Sequence, residues 1–140
     1  MAADSDWLLV PGRIIRLFCS FTKPPKEKYV VLLTKSPFLV GFLINSHPTD
    51  FQQNRQHLLD ELIKLTARDY SFLSHTCYLD CTTLADLDED DVLAQITDDP
   101  TRDLKMISEK TRSQIISILS NSLTIESGLA KLILKNLEIK

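Results

Sequence analysis

Tyr29-Val-Val-Leu-Leu-Thr34 is a continuous apolar run of strand length. It constrains the fold more than any other segment. It lacks the alternation of a half-exposed strand and reads as one buried on both faces. Arg13 to Cys19 is likewise rich in β-branched and aromatic residues, and Phe38 to Ile44 is a third apolar stretch. Turn signals separate the three: Pro11-Gly12, Lys23-Pro-Pro-Lys-Glu27 and Lys35-Ser-Pro37. Proline cannot feed a central ladder, so these breaks end strands. Strands spaced this closely predict a meander curling into a small barrel or a strongly bent sheet.

Further along, Asn45 to Thr49 reads as a loop, with Thr49 or Asp50 placed to cap the next element. Residues 51–66 fit a helix with Phe51, Leu58, Leu59, Leu62 and Leu65 on one face, or end in a strand over Leu62 to Thr66. Cys77 to Thr83 predicts another strand, after a loop over Asp69 to His75. The remainder reads as helical. Asp88 is an N-cap candidate, and Glu89, Asp90 and Asp91 in the first turn complement the positive helix end. Pro100 stops that helix and Ser108 caps the next, whose apolar stripe is Ile115, Ile116, Ile118 and Leu119. A last helix, about 125–137, carries Leu129, Leu132, Ile133 and Leu137. The expected class is α+β, mainly β. One domain spans 1–140, with a barrel over about 12–84 and C-terminal helices over about 88–137.

A chain of 140 residues, 44% hydrophobic and 25% charged, suits one globular domain rather than a disordered segment. The best apolar run, Pro37 to Asn45, falls short of the roughly 18 residues a spanning helix needs. The start, MAADSDWLLV, has two aspartates and no basic residue, unlike a secretory leader. A cytoplasmic location is therefore expected. Cys19, Cys77 and Cys81 are an odd count without a disulfide framework. Cys77 and Cys81 have zinc-like spacing, but beyond His75 no second ligand pair accompanies them, so they read as strand residues. With three glycines there is no phosphate loop, and neither a G-x-S-x-G nor an H-E-x-x-H motif occurs. No metal and no cofactor is expected.

The net charge of −3 is unevenly spread, because residues 84–104 hold eight acidic groups and one basic group. Asp86 to Asp91 lacks the glycine and closing glutamate of a calcium loop and reads as a solvated helix start. It is also a candidate shield for basic surface elsewhere in the chain. That surface comprises Arg13, Arg16, Lys23, Lys26, Lys28 and Lys35, on or between the first two strands. It would suit a phosphate backbone, or simply solubilise the sheet. His47 and His75 lie in loops at strand ends, where functional groups gather on rigid scaffolds. A histidine there could serve as general acid or base, or have no role.

The order of segments resembles the PemK/MazF-like family of toxins from toxin–antitoxin pairs. Gly12-Arg-Ile-Ile-Arg-Leu17 stands where the family has G-[DE]-I-[VI]-x-V. Phe21 to Lys26 matches its polar, proline-bearing loop, and Lys28 to Thr34 its R-P-A-[VL]-[VI]-[VL]-[ST] strand. Phe42 to His47 matches the next strand and its hydroxyl-bearing loop, and the D-Q-x-[KR]-x-[IL] element falls near Cys77 to Leu84. Ser108 to Ser120 matches the closing helix, so the resemblance covers roughly 12–120. It implies an SH3-like barrel that dimerises, binds single-stranded RNA in a basic groove and pairs with an antitoxin. It also implies metal-independent cleavage by the RNA's own 2′-hydroxyl, needing acid–base and electrostatic help. The family arginine falls on Lys28, the hydroxyl on Ser46, and the third position near His75, Thr76 or Tyr78. Catalytic roles are thus expected for Lys28, Ser46 and His75, and RNA binding for Arg13, Arg16, Lys26, Lys35, His47 and Tyr78. Lysine lacks the bidentate fork of arginine. Either His75 supplies the missing acid–base group, or the barrel binds RNA or a protein without cleaving.

Overall fold

The computed structural model describes residues 9–35, 38–122 and 124–138. The N-terminal stretch without basic charge and part of the Lys35–Pro37 turn lie outside these. Strands β1 (Arg13–Cys19), β2 (Lys26–Thr34) and β3 (Leu39–Asn45) form the expected antiparallel meander. β2 begins before Tyr29, because Lys26, Glu27 and Lys28 pair with Cys19, Phe18 and Leu17 across the hairpin. Gly12, at φ 93°, makes the turn into β1 in a conformation that side chains disfavour.

The ambiguous stretch divides into three short elements: α1 (Asp50–Gln53), α2 (Gln56–Leu59) and β4 (Leu62–Leu65). Thr49 caps α1 through a reciprocal box with Gln52. β5 (Cys77–Asp80) pairs with β4 and with the end of β3, while β6 (Ala85–Leu87) pairs with the start of β3. Asp88 caps α3 (Glu89–Asp98), accepting from the backbone of Asp90 and Asp91. A 3₁₀ turn, Pro100–Arg102, comes after it. Next are β7 (Asp103–Met106), α4 (Glu109–Ser120) capped by Ser108, and α5 (Ser127–Glu138).

β7 corrects the expectation of a purely helical C-terminal part. It returns to pair with β1, giving the strand order β4-β5-β3-β2-β1-β7 with β6 beside β3. The sheet therefore extends beyond residue 84. The result is a curled antiparallel sheet with C-terminal helices, in which helix and strand are comparable in extent among the described residues. No helix among those residues is long and apolar enough to cross a membrane.

Both faces of the sheet are covered. Val30, Val31, Leu32 and Leu33 are all fully buried, as their unbroken apolar run requires. Val31 and Leu33 join Ile14, Phe42 and Ile44 in one core, closed by Ile115 and Leu119 of α4 and Ile133 and Leu137 of α5. Val30 and Leu32 join Ile15 and Leu17 in the other, closed by Val92 and Ile96 of α3. Tyr70 ties the β4–β5 connection to α4. Its hydroxyl accepts from Ser108 N–H at 3.1 Å and meets Thr111 Oγ1 at 2.6 Å.

The outer edge of β1 is paired with β7 only over Arg13 to Ile15. Beyond that, side chains satisfy its backbone. Arg102 donates to the Arg16 carbonyl at 3.0 Å. The Gln95 amide accepts from Phe18 N–H at 2.9 Å and donates to Phe18 O at 3.1 Å, as a neighbouring strand would.

Candidate functional site

Antiparallel pairing lays residues in rows across the sheet, and adjacent rows face opposite ways. Arg16, Tyr29, Ile44 and Leu79 make one row. It faces the core of α4 and α5, and at its end opens a cleft of about 310 Å³. Tyr29 and Ile44 line this cleft, with Leu73 and Cys77 as apolar wall. Tyr29 is fixed there: its ring meets Phe72 edge-on at 4.8 Å, and its hydroxyl donates to the Phe72 carbonyl at 3.2 Å. Ser46, from the loop after β3, and His75, from the connection before β5, also line the cleft. Two predicted residues 29 positions apart thus share one cavity.

His75 Nδ1 lies 3.1 Å from Ser74 Oγ, and Nε2 lies 3.9 Å from Cys77 Sγ. Burial raises the pKa of the Cys77 thiol above its ordinary value, which disfavours the thiolate. Burial likewise pushes Cys19 up to about 11, and Cys81 well above the ordinary value. All three cysteines are free and buried, in or beside strands as expected.

The opposite rim is charged. Arg16 and Glu27 both line the cleft, with Lys26 beside them. Arg102 grips Glu27 with two hydrogen bonds of 2.6 and 3.0 Å, and this holds the Glu27 carboxyl below its usual range. Arg16 lies 3.7 Å from Glu27 and donates to Asp99 at 3.0 Å. Asp99 also sits below its usual range, chiefly through the hydroxyl and N–H of Thr101. Two guanidinium groups and two carboxylates thus form a charge-balanced network at this rim.

Lys28 contributes to the cleft wall, but its ammonium is on the other side of the sheet. Lys28 sits in the adjacent row, with Leu17, Asn45 and Tyr78, and Leu17 belongs to the α3 core. Its Nζ donates to Asn45 Oδ1 at 2.5 Å. Burial, then the charge of Lys26, lowers its pKa. The expected binding residues are similarly divided. Arg16 lines the cleft, whereas Lys26, at its edge, shares the face of Lys28 in the row of Cys19. Tyr78 lies in the Lys28 row, and His47 is exposed in the loop after β3. Arg13 and Lys35 sit towards the far end of the hairpin, Lys35 just past Thr34, which is about 20 Å along from Lys28 at strand rise.

Two of the basic groups pair with acids outside the Asp86–Asp91 run. Asp103 binds Arg13 at 3.1 Å and Asp99 binds Arg16, while Asp86 to Asp91 lies at the start of α3. Glu27 and Tyr29 are cleft residues that sequence reasoning missed. Their signal was the alternation of β2, which sets both opposite Lys28. Asp99 and Arg102 gave no local signal, since their partners lie 75 or more positions away. Among the described residues no group of three or more histidine, cysteine or acidic side chains could hold a metal ion. Comparison with protein-family models, curated proteins and solved structures found no match.

Proposed function

We propose that the chain is a PemK/MazF-like protein that binds single-stranded RNA in this cleft and cleaves it without a metal. In this reading the curled sheet is an SH3-like barrel. The protein acts in the cytoplasm as a homodimeric toxin restrained by an antitoxin. The observation that supports it is the meeting of Ser46 and His75 with Arg16 in one cavity with an aromatic floor.

Each group has a role in such a reaction. The 2′-hydroxyl oxygen attacks the adjacent phosphorus and gives its proton to His75. Ser46 donates to a non-bridging oxygen, and Arg16 stabilises the phosphorane charge. The 5′-oxygen leaves with a returned proton, producing a 2′,3′-cyclic phosphate. Tyr29 offers a ring for base stacking. Lys28, carried over by resemblance as the phosphate-binding cation, is engaged with Asn45 on the other face, so Arg16 takes that part.

A second reading is RNA binding without cleavage. It is favoured by the engagement of Arg16 with Glu27 and Asp99. One assay separates the two. End-labelled single-stranded RNA is incubated with the protein in excess chelator. Cleavage to cyclic-phosphate ends is expected. His75→Ala should lower the rate about 100-fold or more, the range for loss of an acid–base group. His47→Ala and Lys28→Ala should leave it unchanged. Intact but bound RNA supports the second reading, and absence of binding removes both. Growth arrest on overexpression is the cellular counterpart.

A further inference from the structure

On the face opposite the cleft, two grooves of about 420 and 120 Å³ run together, both lined by Phe21 and Asp86. They lie between the β1–β2 connection and the segment from β6 into α3. Leu43 and Leu84 line the first, and Leu17 and Leu87 the second. Phe21, which lines both, stands 49% exposed, although an aromatic ring is normally well buried. Exposed apolar surface of this kind marks interaction sites.

The charged residues that line the grooves have one sign. Asp80 and Asp86 line the first groove, and Asp86, Asp88 and Asp91 the second. No lysine, arginine or histidine lines either one. Asp88 is engaged in capping α3, and Asp80 accepts from Gln52 and Thr82. Lys28 acts on Asp80 from within the sheet and offsets part of this charge. The parent segment, residues 84–104, remains the most acidic of the chain.

We propose that this groove docks a basic amphipathic segment of a partner protein. Its apolar side chains would pack against Phe21, Leu43 and Leu87, and its lysines or arginines would face Asp86 and Asp91. Charge complementarity selects this occupant, because an acidic peptide or RNA would meet carboxylates of its own sign. The inference does not rest on the RNA reading, which concerns the other face.

The test uses the whole protein and a fluorescein-labelled synthetic peptide of Lys, Leu and Ala, with Leu at i, i+3, i+4 and i+7. Fluorescence anisotropy should show binding that weakens as salt rises. Replacing the peptide's Lys by Glu, or its Leu by Ser, should weaken it about tenfold or more. Phe21→Ser and Asp86→Lys, both at exposed positions, should do the same while the melting temperature stays unchanged. In the wild-type protein, peptide-induced amide shifts should gather at residues 18–22 and 84–91. Equal binding of the Glu peptide, unchanged affinity in both variants, or shifts confined to the cleft would overturn the proposal. So would self-association abolished by Phe21→Ser, which would assign the groove to a second copy.

Discussion

On one face of the sheet, α4 and α5 lay Ile115, Leu119, Ile133 and Leu137 over Val31 and Leu33. On the other, α3 covers Val30 and Leu32 with Val92 and Ile96, joined by Leu9. The first face is held chiefly by apolar burial. The second depends more on polar clamps: Gln95 on Phe18, Arg102 on Arg16 and Glu27, and Asp99 on Arg16. These clamps come from the same short stretch that supplies the charged rim of the cleft. Asp99 and Arg102, just after α3, thus join the docking of this helix to the charged rim of the cleft.

The largest predicted contrast is in stability. Ile133→Ala, in the larger core, should cost about 2–5 kcal/mol. Val92→Ala should cost about 2 kcal/mol, because it removes less buried surface from a smaller cluster. Urea denaturation checks both, and equal losses would break the contrast. Tyr70→Phe should cost about 1–3 kcal/mol, since it strips the buried Thr111 hydroxyl and the part-buried Ser108 N–H of a partner. Its effect should appear as a lower urea midpoint.

Gln95→Ala should be milder, about 1 kcal/mol, because water can reach the exposed edge of β1. Its sharper signature is faster hydrogen exchange at the Phe18 amide. The smallest effect concerns pH. Arg102 holds the folded-state pKa of Glu27 below the unfolded value near 4.5, so the pair stabilises the protein above that value. This contribution falls away as pH drops through the lower folded pKa. Glu27→Gln should therefore be less stable than wild type at pH 7, by at most about 1 kcal/mol for so exposed a pair. The difference should vanish in acid, as denaturant midpoints across pH would show.

The legible parts of the fold are those fixed by local chemistry. The unbroken run around Val31 announced a doubly buried strand, and Asp88 and Ser108 announced helix starts. β7 gave no such signal, because Lys105 and Met106 are exposed and the strand exists through pairing with distant β1. Residues 51–66 stayed ambiguous because three elements of four residues each are too short for a period to declare itself. In the site, His75 was legible as a polar residue at a strand end, while Ser46 was reached only through the resemblance. Lys28 was assigned by position in a resembling motif, whereas the two-residue period of β2 sends its side chain to the other face. The Arg16–Asp99 and Arg102–Glu27 contacts depend on where α3 docks, which no short-range pattern encodes.

The proposed division of labour gives the two faces different ligands, with single-stranded RNA entering the cleft beside Arg16. A titration with a single-stranded RNA oligomer, monitored through backbone amide shifts, tests it most directly. Shifts should gather at Arg16, Lys26 to Tyr29, Ser46 and Ser74 to Cys77, while Phe21 and Asp86 stay still. Shifts centred on Phe21 and Asp86, or none at all, would contradict it.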